Sequence, residues 1–172
     1  FSDYESEDVL VPLENAVDRA FYAHLMDDIG SPEPDTPTAL YQEFLEAEID
    51  FRNVRNALRI ARSGADIDPA AYFMDGGRLF DPEELRGLAA NIEELVTRIR
   101  ESTYGNDLAE ALEDLEDADS LIGFEHALDT ALLEYSQKLS SRYPLSVCPV
   151  LSYILAKERE IENIRAIARG RE

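Results

Sequence analysis

Residues 144–170 read PLSVCPVLSYILAKEREIENIRAIARG. After the opening prolines, Val147, Leu151, Ile154, Ile161 and Ala168 recur at steps of three, four and seven, the spacing of one face of an α-helix. This predicts a helix from Val147 to Arg169, ended by Gly170. A weaker copy lies 110 positions earlier: Leu45, Glu48, Asp50, Phe51, Asn53, Val54, Arg55 and Arg59 stand opposite Leu155, Glu158, Glu160, Ile161, Asn163, Ile164, Arg165 and Arg169. A repeat of this length points to stacked or pseudo-symmetric helical modules rather than to a single catalytic cleft.

The preceding segments repeat as well. Val11, Leu13, Glu14, Ala16, Val17, Asp18 and Ala20 match Ile122, Phe124, Glu125, Ala127, Leu128, Asp129 and Ala131 at an offset of 111. Two blocks in the same order at nearly one offset divide the chain into a complete module, residues 1–118, and a partial second module, residues 119–172.

The remaining helices announce themselves by their ends. Thr36 caps and Pro37 opens a helix running to Arg62 or Ser63, closed by Gly64. Asp68-Pro69 and Asp81-Pro82 repeat the cap-then-proline pattern, with Glu84 in the capping-box position after Asp81; Asn91 and Glu94 form a second box. Further helices are expected at about 12–27, 106–118 and 121–141. No segment alternates in the manner of a strand. The fold class is all-α, a bundle of about eight helices in pseudo-repeated modules.

The net charge of −21, from 37 acidic and 16 basic residues, excludes nucleic acid as a partner, because phosphate binding requires a basic footprint. Lys138 and Lys157 are the only lysines. Such a charge repels itself unless salt screens it, over about 3 Å at molar ionic strength, and the composition looks like that of a cytosolic protein from a salt-loving cell, an acidic mesophilic protein being the alternative. The lone Cys148 forms no internal disulfide and has no basic neighbour in sequence to activate it, so it reads as packing. The longest apolar stretch, from Val147 to Ala156, is far shorter than the ~20 residues of a membrane span.

Glu158 falls on the apolar stripe of the last helix, and Glu48 falls likewise between Phe44 and Phe51. A carboxylate on an apolar face either meets a cation or stays neutral. Arg55 and Arg165, two turns further along the same faces, are the candidate partners, with Glu14 and Glu125 reaching them from the preceding helices. The expected arrangement is a recurring interhelical cluster of Glu14, Glu48, Asn53 and Arg55 in one module and Glu125, Glu158, Asn163 and Arg165 in the other, with arginine binding carboxylate bidentately.

Chemistry fares less well. A di-metal bundle site needs Glu-x-x-His pairs, and neither His24 nor His126 has a glutamate three residues before it. The acidic run Glu110, Glu113, Asp114, Glu116, Asp117, Asp119 lacks the central glycine of a calcium loop and has Leu108, Ala111, Leu112 and Leu115 on its other face. No phosphate loop is present, since Gly76-Gly77 is not followed by lysine. The sequence thus offers no catalytic residue, no cofactor or metal site and no small-molecule substrate.

The run from Pro144 through Pro149-Val150-Leu151, Lys157-Glu158, Asn163-Ile164-Arg165 and Arg169-Gly170 resembles the C-terminal signature of the C subunits of archaeal and bacterial A/V-type ATPases, relatives of the d subunit of the eukaryotic V-ATPase. Gly76-Gly77-Arg78-Leu79, Ser102-Thr103-Tyr104 and Phe124-Glu125-x-Ala127-Leu128-Asp129 are similar to other parts of the same family. The resemblance implies a funnel of three related helical modules, of which this chain is the C-terminal portion. It also implies a non-catalytic central-stalk role on the cytoplasmic face of the membrane, between the shaft subunits and the membrane rotor ring, coupling ion flow to ATP synthesis or the reverse. A free-standing helical-repeat adaptor that binds a partner's helix is the competing reading.

Overall fold

The computed structural model describes residues 10–63, 69–118 and 121–169. All regular structure among them is helical: α1 (Leu10–Ile29), α2 (Pro37–Ser63), a 3₁₀ turn (Pro69–Tyr72), α3 (Pro82–Leu88), α4 (Ile92–Glu101), α5 (Ala109–Ala118), α6 (Leu121–Arg142) and α7 (Cys148–Arg169). Seven α-helices and one 3₁₀ turn stand where about eight helices were expected. The expected caps at Gly64 and Asp68, and the end of the acidic run at Asp119, lie outside the described residues.

The helix starts follow from local chemistry. Thr36 Oγ1 accepts from the amide of Ala39 at 3.2 Å, Asp81 from Glu83 at 2.8 Å, and Asn91 from Glu93 and Glu94 at 3.1 and 3.4 Å. Each satisfies amides that the first turn leaves without a helical partner. Glu84 does not complete a capping box. Its carboxylate turns instead to Arg98 on α4, which also donates to the carbonyl of Leu79 at 3.0 Å and lies over the ring of Phe80 at 5.0 Å.

At roughly 1.5 Å per residue, the 27 residues of α2 make a rod of about 40 Å. Its apolar residues feed two clusters. Ala47, Phe51, Val54, Ala57 and Leu58 join a cluster completed by α3, α4, α5 and the first half of α6. Leu40, Phe44, Leu45 and Ile49 join Tyr22, Met74, Leu139 and Cys148 in a second cluster. Cys148 is 1% exposed there, a small apolar group in the core.

The two segments matched by the repeat each hold a pair of long helices, α1 with α2 and α6 with α7. α2 begins at Pro37 and α7 at Cys148, 111 positions apart, and each follows a long helix. Their surroundings differ. Only the start of the stripe from Val147 to Ala168 meets a core: Leu151 packs against the second cluster beside the buried Cys148, whereas Ile154 and Ile161 are about half exposed, and every residue from 161 to 169 is exposed. Among the described residues, nothing covers that half of α7.

Candidate functional site

The functional chemistry of the molecule is charge placed along α2. On one side run Arg52, Arg55 and Arg59. Arg52 reaches Glu48 on its own helix at 3.3 Å and Asp18 on α1 at 3.4 Å, and its guanidinium stacks over the ring of Tyr22 at 5.3 Å. The Tyr22 hydroxyl donates to Glu48 at 2.7 Å, and burial beside that carboxylate pushes the phenol far above its ordinary pKa. Arg55 pairs with Asp129 and Arg59 with Glu125, both on α6. The arginines of one helix therefore brace it to α1 and α6 together. A further link joins Glu43, which accepts from the Tyr135 hydroxyl of α6 at 2.8 Å and pairs with Arg78 at 3.5 Å.

The eight candidate residues are distributed unevenly over this frame. Glu48, Arg55 and Glu125 lie in the seam, but each has a partner other than the one expected: Tyr22 and Arg52 for Glu48, Asp129 for Arg55, Arg59 for Glu125. Glu14 is exposed at the rim of the cleft between α1 and α2. Asn53 is fully buried away from the arginines, because two residues on a helix are about 200° apart and Arg55 occupies the opposite face. In the second module Glu158 stands exposed at the edge of the cleft between α2, α6 and α7, and Asn163 and Arg165 are exposed on the uncovered half of α7, so no buried cluster of the expected kind forms there among the described residues.

A second set of groups along α2, from Asp50 round to Asn56 beside Arg52, holds the connector between the 3₁₀ turn and α3. Asn56 Nδ2 donates to the carbonyl of Tyr72, and Asn53 donates to the carbonyl and accepts from the amide of Met74, all at 2.8 Å. Asp50, 0% exposed, accepts from the amides of Leu79 at 3.1 Å and Phe80 at 3.2 Å and from the Tyr104 hydroxyl at 3.1 Å. Positions 50, 53 and 56 are steps of three, one face of the helix. Asp50 does not stand out among the candidates read from the sequence. Beyond its place in the repeat, its trace is Gly77, where a Cβ would stand 2.5 Å from Asp50 Oδ1, so that only glycine lets the loop close on the carboxylate.

Burial raises the Asp50 carboxyl above its ordinary pKa, and the bonds from Leu79, Phe80 and Tyr104 pull it back only in part. A raised folded-state value means that the folded chain holds this proton more tightly than the unfolded one. The contribution of the group to stability is therefore fully present below the unfolded value of 3.8 and lost as pH rises through the folded one. The stability advantage of the wild type over Asp50→Asn, which cannot titrate, should shrink across that window and level off above it. Urea unfolding of both proteins at matched pH values measures it, and an advantage that grew with pH would show hydrogen bonding, not burial, to be in control.

Among the described residues no three His, Cys, Asp or Glu side chains converge to hold a metal ion, and no helix is long and apolar enough to cross a membrane. The cleft between α2, α6 and α7 measures about 140 Å³ and is walled both by charged residues, among them Glu48, Arg52, Arg55 and Asp129, and by apolar ones such as Phe51 and Leu132. Small-molecule sites usually run to ~300–1,000 Å³, so this cleft has the size of a gap in an ion-pair seam.

α2 is thus a long helix braced by ion pairs to α1 and α6 and tied by side chains to the connector before α3. The family model for the ATP synthase (C/AC39) subunit matches residues 1–172. The chain belongs to the ATP synthase C/AC39 subunit family. It is 64% identical over its whole length to the A-type ATP synthase C subunit of Halobacterium salinarum, covering 49% of that protein, and 64% identical to that of Haloferax volcanii, also covering 49%. To the A-type ATP synthase C subunit of Methanocaldococcus jannaschii it is 30% identical over 99% of its own length and 43% of the relative's. The chain spans about half the length of the curated relatives it matches. No solved structure matches this C/AC39 chain.

Proposed function

We propose that this chain is part of a non-catalytic central-stalk subunit that couples the rotating shaft of an A-type ATP synthase to the membrane rotor ring, on the cytoplasmic side. The observation that carries the reading is membership of the C/AC39 family over all 172 residues. The way the helices are tied together supports it. A part that transmits torque must resist shear between its helices, and α2 is tied to α1 by Arg52 and to α6 by Arg55, Arg59 and Glu43. Ion pairs at such positions set helix register more than they add net stability, because desolvation offsets most of the Coulomb gain. Fixed register is what a coupling requires.

The test is isolation of the tagged full-length protein from its native membranes in molar salt, which screens the −21 charge. Recovery of the rotor-ring and shaft subunits is the expected result. Recovery of soluble proteins alone, from membranes whose ATPase remains intact, would retire the coupling role in favour of an adaptor.

A further inference from the structure

α2 and α7 occupy equivalent places in the two copies of the repeat, yet among the described residues only α2 is covered on its Asn53 side. Asn53 there is 0% exposed and grips the amide and the carbonyl of Met74, while Val54 and Ala57 beside it are 1% and 0% exposed. The counterparts on α7 are Asn163, Ile164 and Ile167, and both isoleucines are 59% exposed. Steps of one, three and four residues keep these three on neighbouring parts of one helical surface. An apolar surface next to an amide whose counterpart is fully buried is the mark of a contact face. The A-type relatives are about twice as long as this chain, which supplies the material to cover it.

We propose that Asn163 clamps the backbone amide and carbonyl of one residue in an irregular segment of the same full-length protein, outside these 172 residues, and that this segment covers Ile164 and Ile167. The hold differs from that on α2 in two respects. Ala166 replaces Asn56, so the carbonyl tie corresponding to Tyr72 is missing. Glu160, the counterpart of Asp50, is engaged with Lys157 at 2.6 Å. The clamp on α7 therefore rests on the one amide side chain and on the apolar cover.

Hydrogen exchange of the full-length protein, read by mass spectrometry, tests this. In Asn163→Ala, one segment outside residues 1–172 should exchange at least ~10-fold faster, as expected when a local opening loses about 1.4 kcal/mol, and residues 164–168 should follow it. Asn53→Ala in the same preparation should speed exchange at residues 72–76 and calibrates the effect. No change outside residues 1–172 while Asn53→Ala shows its effect would overturn the proposal. Should Asn163→Ala fail to fold, Asn163→Asp, which keeps the acceptor and loses the donor, gives the same readout. Hydroxyl-radical footprinting of the wild type decides independently. Ile164 and Ile167 should be labelled far less than Leu145, which stands fully exposed at the α6–α7 turn. Equal labelling, or protection that vanishes on dilution and so comes from a second copy, would overturn it.

Discussion

Asp50→Ala is expected to lower the unfolding free energy by about 4 kcal/mol at neutral pH. The carboxylate is the acceptor for the Leu79 and Phe80 amides and for the Tyr104 hydroxyl, and a buried donor stripped of its acceptor costs roughly 1–3 kcal/mol. The loss is not confined to α2, because those donors belong to the connector before α3 and to the turn after α4. Releasing them loosens Phe80, which is 1% exposed in the larger apolar cluster. Urea titration at constant molar salt measures the change through a shift in midpoint without a change in slope. A loss below about 1 kcal/mol would mean that water enters and replaces the carboxylate as acceptor.

Gly105→Ala should cost about 3 kcal/mol, the upper part of the range for overpacking. A Cβ at this position would stand 2.0 Å from the carbonyl oxygen of Arg100 and 2.7 Å from its carbon. Those atoms belong to the last turn of α4, which cannot retreat without breaking its own hydrogen bonds. Ser102 caps that turn: its hydroxyl donates to the carbonyl of Ile99 at 2.7 Å and accepts from the amide of Tyr104 at 3.2 Å. The close passage at Gly105 thus delivers the Tyr104 hydroxyl to Asp50 and its ring to Phe51, 4.6 Å away between centroids. Gly87→Ala is the control, since a Cβ there meets nothing within 4 Å and alanine gains helix propensity over glycine. Thermal unfolding of the two variants side by side should move in opposite directions. A Gly105→Ala protein as stable as the wild type would mean that the turn after α4 yields freely.

What the sequence makes legible here is what is decided locally. Thr36, Asp81 and Asn91 cap helices because their oxygens reach amides two or three residues ahead, and a reader needs only that short stretch. The long repeat locates α2 and α7 for a similar reason, since both copies must satisfy the same helical period. Asp50 is different. In a chain with 37 carboxylates it looks like any other acidic residue, and its partners lie 29, 30 and 54 positions away in sequence. The role of Asn53 is concealed in the same way, by a partner 21 positions further on. The expected interhelical cluster joined Glu48 and Arg55 with Glu14 and Glu125 from the preceding helices, whereas Tyr22 of α1 engages Glu48 and Asp129 of α6 engages Arg55. Residues matched by the repeat need not share an environment: Asn53 and Asn163 stand at corresponding positions, one sealed beneath a connector and the other exposed.

The passage of α2 through both apolar clusters bears on how the chain comes apart. Ala47 and Ile49, two residues apart on one rod, belong to different clusters, and Leu132 and Tyr135 of α6 pack against both. Melting either cluster frays a helix on which the other depends, so neither can be lost while its neighbour survives. The sequence repeat falls into two blocks, but denaturation should proceed as a single cooperative event, with fluorescence from tyrosines in the two clusters and far-ultraviolet dichroism tracing one superimposable curve.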